Sequence, residues 1–447
     1  MTENRYSYIK PLLIHLFLGG LIFLLPFITK IYSILIFGFG LYVISKKKNQ
    51  NNEALIFSAY VVGVEVLLRM TDGMHFNEYA KYSIIIFMLY GIFYQGVRRE
   101  AFVYFIFILF LFPGVLYGVY SLSFEANIRK AIAFNISGPV CLGISAIYCI
   151  NRVVTYSQMR NIIYAFSLPI ASIIVYLLLY NPSIKDVVTS TQSNFETSGG
   201  FGPNQMSTVL GLGMFVYFAI FYLFLESRTE KIAVLAMTTI AAFRGLMTFS
   251  RGGMYTGLLM IVSLVFVTFF FVNKKVKAGI VVMAMCLVLA GMGIWVYSTI
   301  QTGGLIDKRY ANQDARGREK SSALTGREQL IESEFKMFFD NPITGVGVGR
   351  NKEYREEMTG IKAASHNEIS RMLAEHGVLG VICLLILFIT PFLVYINNRQ
   401  HVFMLCFFLF WLLTINHAAM RLSAPAFIYG LSLLKLKIVD EATVHRE

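Results

Sequence analysis

A chain of 447 residues that is 56% hydrophobic and only 15% charged, with a mean hydropathy of +0.62, has too little polar surface to cover a soluble core. Its formal net charge of +13 does not point to nucleic acid, because Lys and Arg gather in short clusters between apolar runs and form no basic stripe with interleaved aromatics. The five cysteines, Cys141, Cys149, Cys286, Cys383 and Cys406, all fall in apolar runs without a paired motif, which argues against a disulfide framework or a cysteine metal site.

The first apolar run, residues 11–28, follows Arg5 and Lys10 and has no small-x-small cleavage site after it, so it reads as a first span and not a removed signal peptide. A span needs about 20 apolar residues. Further spans are expected near 31–45, 54–70, 83–97, 101–120, 131–150, 161–180, 205–225, 232–249, 253–272, 278–299, 377–396, 401–415 and 424–438, which gives an all-α polytopic membrane protein with about 12–14 transmembrane helices. With a cytoplasmic N-terminus, alternate loops carry Lys46-Lys47-Lys48, Arg98-Arg99, Arg152 with Arg160, Arg228 with Lys231, Lys274-Lys275 with Lys277, and Arg399. All of these fall on one side, as the positive-inside rule requires, and the C-terminus returns to that side. The opposite side receives two long polar stretches, an outer loop at about 181–204 and a larger one at 300–365. The organisation expected is therefore spans over 1–299, a large outer loop over 300–365 containing short helices, and C-terminal spans over 366–447.

Within the large loop, the charged, Gly- and Ser-containing stretch 311–322 reads as loose. Thr325-Gly326-Arg327-Glu328 then has the form of a capping box. The apolar positions Leu330, Ile331, Phe335, Phe338 and Phe339 follow at helical spacing until Asp340-Asn341-Pro342, which predicts an amphipathic helix on the outer membrane surface. Gly345, Gly347 and Gly349 lack the Lys-Ser/Thr of a phosphate loop and read as a tight turn back to the membrane. A second box, Ser365-His366-Asn367-Glu368, opens a helix whose first turns carry an Arg371–Glu375 pair and stand clear of lipid before entering the bilayer from Gly377.

These frames single out candidate residues. His366, read as the first helical residue, sits in the positive end field of the helix, which favours a neutral ring able to take a proton beside backbone N–H groups that welcome an anion. The competing reading is an ordinary exposed helix-start histidine. Arg251 at an outer mouth either snorkels to the interface or faces a cavity, since an arginine at bilayer depth costs ~2.5–3.5 kcal/mol. Arg244, seven residues earlier and deeper, calls for an internal partner, a carbonyl or an acid such as Glu65, and Gly252-Gly253 is expected to break the helix between the two spans. Arg327 reads either as a surface charge or as a ligand-facing one. His75, His376 and His417 have no metal-ligand spacing, and neither Asp-x-Asp nor His-Glu-x-x-His occurs.

Taken in order, Phe201-Gly202-Pro203-Asn204-Gln205, Ser250-Arg251-Gly252-Gly253, Thr325-Gly326-Arg327, Asn341-Pro342 with Gly345 and Gly347, and His366-Asn367 with Gly377 and Gly380 resemble the O-antigen ligase and polymerase family of bacterial envelope proteins, over roughly residues 195–400. The resemblance implies a GT-C-like bundle in the cell inner membrane with its active site facing the periplasm. It implies glycan transfer from undecaprenyl diphosphate to an acceptor hydroxyl on a glycolipid or glycan, with no metal and no cofactor. On that reading Arg251 and Arg327 hold the diphosphate and His366 activates the acceptor, with Asn367, Asn204 and Arg244 in support. The expected partners are the lipid-linked donor, the acceptor and the bilayer, with no nucleic acid. A ligase acting on lipid A-core is the leading expectation. A polymerase joining repeat units is the nearest rival, since ligases of the family often have Leu four residues after the first arginine and this chain has Tyr255. A transporter or flippase is the reading from another class, and it calls for ionisable residues at mid-membrane, whereas the polar residues here gather on one outer face.

Overall fold

The computed structural model describes residues 7–438 except 126, 182, 321–326 and 361–362, and describes Arg327 only as the first residue of its helix. In chain order the α-helices are α1 Ile9–Leu24, α2 Ile28–Lys47, α3 Glu53–Met70, α4 Tyr79–Gln95, α5 Phe102–Ser121, α6 Ile128–Cys149, α7 Tyr156–Tyr180, α8 Pro203–Ala219 and α9 Arg228–Met247. They continue with α10 Arg251–Phe271, α11 Lys274–Gln301, α12 Leu305–Tyr310, α13 Arg327–Asp340, α14 Asn351–Thr359, α15 Glu368–Ile396, α16 Met404–His417 and α17 Ala424–Leu431. Two short strands, β1 Val153–Thr155 and β2 Lys435–Lys437, pair in parallel. The protein is an all-α polytopic membrane protein: a helix overlaps each segment expected to span, and among the described residues eight helices are long and apolar enough to cross a bilayer. Helices α1 and α16 are apolar but shorter.

The last expected span does not form. Helix α17 has only 8 residues, a rise of about 12 Å against a hydrocarbon core of about 30 Å. Turn hydrogen bonds from Ser432 and Leu433 end it, and the chain then pairs with β1. The apolar run 424–438 is apolar because it is buried in protein: Leu433, Leu434 and Leu436 are at most 1% exposed.

The chain divides into two units, 1–39, 59–77 and 160–323 forming unit one, and 40–58, 78–159 and 324–447 forming unit two. At the centre of unit one lies α8, buried on every side from residue 206 to residue 219, as suits a helix that is apolar all round. It crosses α10 at Gly211, Gly253 and Gly257, where an added Cβ at any of the three would run into the other helix's backbone. Small residues four apart allow this close approach. Gly252 and Gly253 therefore lie inside α10 and do not break it; the chain breaks at Phe249-Ser250, where Phe249 takes a left-handed φ of 56°.

In unit two, α5, α6, α15 and α17 pack together, and Tyr104 and Tyr429 share a 2.7 Å hydrogen bond at their centre. Helix α15 breaks at Gly377 (φ 58°, ψ −137°), and the glycine loop closes that break. The carbonyls of Ala374 and Glu375, which lose their helical partners there, accept from the N–H groups of Val346 (2.8 Å) and Gly347 (3.3 Å). Beyond the break, the N–H of Val378 donates to the carbonyl of Pro342 at 2.8 Å. Gly345, Gly347 and Gly349 all have positive φ, and a Cβ on either of the first two would meet the backbone of α15 or α5. The expected tight turn is a plug for a broken helix.

Gly253→Val should destabilise unit one by about 1–3 kcal/mol through overpacking of the α8–α10 crossing. Gly279→Val in α11, where an added Cβ meets nothing within 4 Å, should leave the melting temperature in detergent unchanged. Equal melting temperatures for the two variants would show that the crossing is not tight.

Candidate active site

The expected site residues fall in both units, Asn204, Arg244 and Arg251 in unit one and Arg327, His366 and Asn367 in unit two.

In unit one, Arg251 is the first residue of α10 and half-buried. The residue before it, Ser250, has the right chemistry for a helix cap but makes no side-chain cap. Its hydroxyl donates instead to Asn204 Oδ1 at 2.7 Å and accepts from Ser207 at 3.0 Å. Asn204 and Arg251 are thus brought to one place by the α8–α10 crossing. The elbow before Arg251 is held by burial of Phe249 among Ile184, Val188, Met247 and Ile306, and by Arg309, whose Nε donates to the Phe249 carbonyl at 2.8 Å. A left-handed non-glycine residue costs about 1–3 kcal/mol, and these contacts offset it.

Arg244 has a different place. It is 1% exposed, and its guanidinium donates to the carbonyls of Leu177 (2.9 Å), Asn181 (3.1 Å) and Thr197 (3.4 Å), fastening the end of α7 and the loop after it. Its partners are carbonyls; Glu65, the acid named from sequence, pairs with Arg69 at 2.9 Å. The stretch expected to be loose is ordered over its described part. Asp314 accepts the N–H groups of Arg316 and Arg318, both at 2.9 Å, and the 312–320 hairpin closes with the Lys320 N–H on the Asn312 carbonyl. The backbone N–H of Arg318, above all, holds the Asp314 carboxyl below the usual carboxylate range.

In unit two the second capping frame shifts by two residues. Asn367, not Ser365, caps α15, its side-chain oxygen accepting from the N–H groups of Ile369 (2.8 Å) and Ser370 (3.2 Å). The reason is chemical: Ser365 Oγ folds onto Asn367, accepting from its N–H and donating to its carbonyl, which leaves the Asn side chain free to turn toward the helix. His366 is therefore one residue before the cap, half-buried, and not in the first turn. The segment is anchored by Asn367 Nδ2 on Asn416 Oδ1 at 2.9 Å and by Arg421, which donates to the Ser365 carbonyl at 3.4 Å. Asn416 and Arg421 flank the turn between α16 and α17.

The polar first turns of α15 are clear of lipid because they are inside protein. Arg371 pairs with Glu368 and, at 3.0 Å, with Glu375, while Glu375 also accepts the Gly349 N–H at 2.9 Å. Glu334 on α13 accepts from Arg355 of α14 and from the Ser370 hydroxyl of α15, both at 2.5 Å. Burial pushes the Glu334 carboxyl up, against the pull of Ser370 and Arg355. Helix α13 thus turns Ser333, Glu334 and Met337 inward and leaves Phe335 and Phe339 of its apolar stripe exposed. The Thr325 cap and the start expected for this helix lie outside the described residues; the described helix runs Arg327–Asp340 and ends where expected. Among the described residues no three His, Cys, Asp or Glu side chains are grouped to hold a metal ion.

Residues 233–385 match the sequence profile of the family described as O-antigen ligase. That segment of the chain is similar to the O-antigen ligase family. The matched segment runs from α9 into α15 and contains Arg244, Arg251, Arg327, His366 and Asn367 together with the Glu334–Arg355 pair. Family members are membrane glycosyltransferase-like enzymes, so the match supports a function of the O-antigen ligase or polymerase type. Together with the apolar helices it makes this a multi-pass bacterial membrane protein. No curated protein matches the chain.

Arg309, Lys320, Glu334, Arg355 and Arg421 do not stand out in the sequence. Each looks like a surface charge there, and only the fold reveals that Arg309, Glu334 and Arg355 are buried.

Glu334→Ala strands the buried Arg355 guanidinium and should cost ~3–5 kcal/mol of stability, against a smaller loss for Glu334→Gln, both read by thermal unfolding. Because the folded pKa of Asp314 is depressed, its contribution is present above the usual carboxylate range and is lost as pH falls through the depressed value. Hydrogen exchange at the Arg316 and Arg318 amides should accelerate over that fall, and an unchanged rate would remove Asp314 as the organiser of the hairpin.

Proposed function

We propose that the protein is a metal-independent glycosyltransferase that moves a glycan from undecaprenyl diphosphate to an acceptor hydroxyl on the periplasmic face of the inner membrane, as an O-antigen ligase acting on lipid A-core. The observation that carries this reading is the Glu334 tie in unit two: one carboxylate fastens the helix that begins with Arg327 to the helix that follows His366. A base and a phosphate-binding arginine need such a fixed relation, because catalysis by positioning fails when groups drift by an ångström.

The acceptor oxygen attacks the anomeric carbon, the bond from that carbon to the phosphate oxygen breaks, and the electron pair leaves with the diphosphate. His366 takes the hydroxyl proton. Arg251 and Arg327 neutralise the charge that grows on the leaving group, as guanidinium forks do for phosphate oxygens. Arg251 stands at the first position of a helix whose cap hydroxyl is turned to Asn204, so the helix end adds a favourable field for an anion. Arg244 acts as a positioning residue for the loop beside it, and Asn367 as the cap that presents His366. Cytoplasmic termini are supported at the C-terminal end by β2, which pairs beside Arg152, a residue of the positively charged side.

A polymerase with the same donor is the second reading, favoured by Tyr255 one turn after Arg251. Deletion in the host separates the two: loss of a ligase strands long glycan on the carrier lipid, whereas loss of a polymerase leaves single repeats on the final acceptor. His366→Ala and Arg327→Lys should each abolish transfer while the protein still inserts. Transfer at the normal rate by purified His366→Ala protein would remove the base assignment.

A further inference from the structure

Arg152 belongs to none of the motifs, yet it gathers four basic segments at one end of unit two. It is buried, with its guanidinium 3.8 Å from the centre of the Tyr148 ring. Its Nη1 donates to Gln95 Oε1 at 2.5 Å and its Nη2 to the Gly96 carbonyl at 3.0 Å, which fixes the segment carrying Arg98 and Arg99. Gln95 in turn donates through Nε2 to the Asn49 carbonyl, in the turn that follows Lys46, Lys47 and Lys48. The Arg152 carbonyl accepts from the Lys435 N–H at 2.8 Å, and Lys437 follows on β2. Asn398, beside Arg399, donates to the Leu434 carbonyl at 3.1 Å. The turn after α2 is strained, since Lys48 and Asn49 take left-handed φ values of 49° and 54°. The Asn49 side chain holds it there, donating to the Tyr148 hydroxyl at 2.7 Å and accepting from the Ala54 N–H at 2.9 Å.

Lys46, Lys48, Arg98, Arg99, Arg399 and Lys437 are all exposed. The acids of these described segments are Glu53, which is buried and pairs with Lys47 at 3.9 Å, and Glu100. The positive-inside preference accounts for the sign of each loop but not for their convergence, because it acts on loops one at a time. Attraction to a helix C-terminus accounts for Lys46 and Lys47 alone. Like charges drawn together repel one another until an anion sits among them. Exposed aromatic surface adjoins the cations. Lys46 Nζ stands 5.5 Å from the Tyr42 ring, and a 3.2 Å hydrogen bond between Ser45 and Tyr94 joins α2 to α4. Tyr42 and Phe93, which packs on Tyr94, both face outward.

We infer that this end of unit two is a binding site for an anionic phospholipid, its phosphate set among Lys46, Lys48, Arg98 and Arg99 and its chains along the rings of Tyr42 and Phe93. The headgroup supplies the missing negative charge and the acyl chains cover the aromatic surface, whereas a free anion answers only the first need. The inference does not depend on the proposed function.

The test is the lipid that the purified full-length protein keeps through gel filtration in a neutral detergent containing equal amounts of phosphatidylglycerol and phosphatidylcholine, counted by mass spectrometry. Phosphatidylglycerol should be kept in preference. The double variant Arg98→Gln with Arg99→Gln removes two side chains that make no described hydrogen bond or ion pair, so its melting temperature should match the wild type. Its affinity for phosphatidylglycerol should fall by about tenfold or more, as loss of two basic residues at a lipid surface does. The control is Lys274→Gln with Lys275→Gln, an exposed basic pair in unit one that should keep the wild-type preference. Equal losses in the two double variants would make the preference a matter of total charge and overturn the inference, as would a wild-type protein that keeps both lipids alike. Excess inorganic phosphate at matched ionic strength should leave the phosphatidylglycerol bound, and its displacement would assign the cations to small anions and remove the lipid.

Discussion

Hydrocarbon offers no hydrogen bonds, so a chain within it must satisfy its own backbone, and irregular stretches survive only where protein groups replace the missing helical partners. That constraint organises this molecule. Arg244 donates to three carbonyls at the end of α7 and in the loop beyond it. Arg309 does the same for the left-handed elbow at Phe249, and Arg152 for the carbonyls of Tyr148 and Gly96. Where α17 ends early, Asn398 and His401 take the carbonyls of Leu434 and Leu431. The break in α15 is closed by the backbone of the glycine loop, with the Glu375 carboxylate accepting the Gly349 N–H.

The same constraint explains what can be read from the sequence. Helices follow from apolar runs of sufficient length, and a helix stands at each expected place because lipid enforces that rule without regard to tertiary context. The exception is instructive: residues 424–438 are apolar enough for a span but are covered by protein, and apolarity alone does not distinguish the two solvents. The cap of α15 lies two residues beyond its expected place because Ser365 and Asn367 are both good caps, and only the fold of Ser365 back onto Asn367 decides between them. Local propensity marks Gly252-Gly253 as a break, whereas the packing of α8 overrides that propensity and the actual break falls at Phe249, a residue with no local signal for it.

Charged residues are the least legible. From sequence, Arg244, Arg309, Arg355 and Arg371 differ only in their neighbours, yet one holds carbonyls, one spans two loops, and two are set among three buried carboxylates. Burying Glu334, Glu368 and Glu375 with Arg355 and Arg371 adds little stability, since a well-packed apolar cluster of the same volume does as well or better. Such a network fixes geometry: directional forks at Arg355 and Arg371 permit few arrangements of α13, α14 and α15, whereas apolar surfaces slide.

That distinction bears on why the candidate site residues stand next to such networks. Arg251 follows an elbow whose carbonyl is held by a buried arginine, and His366 precedes a cap whose helix is tied by Ser370 to Glu334. In both units the candidate residue itself is half-buried and the groups that hold its neighbours are buried. A side chain that meets a substrate has to be reachable, so its precision is supplied from behind by groups that are not. The free energy spent on desolvating those charges is returned as a fixed direction for the one that stays accessible.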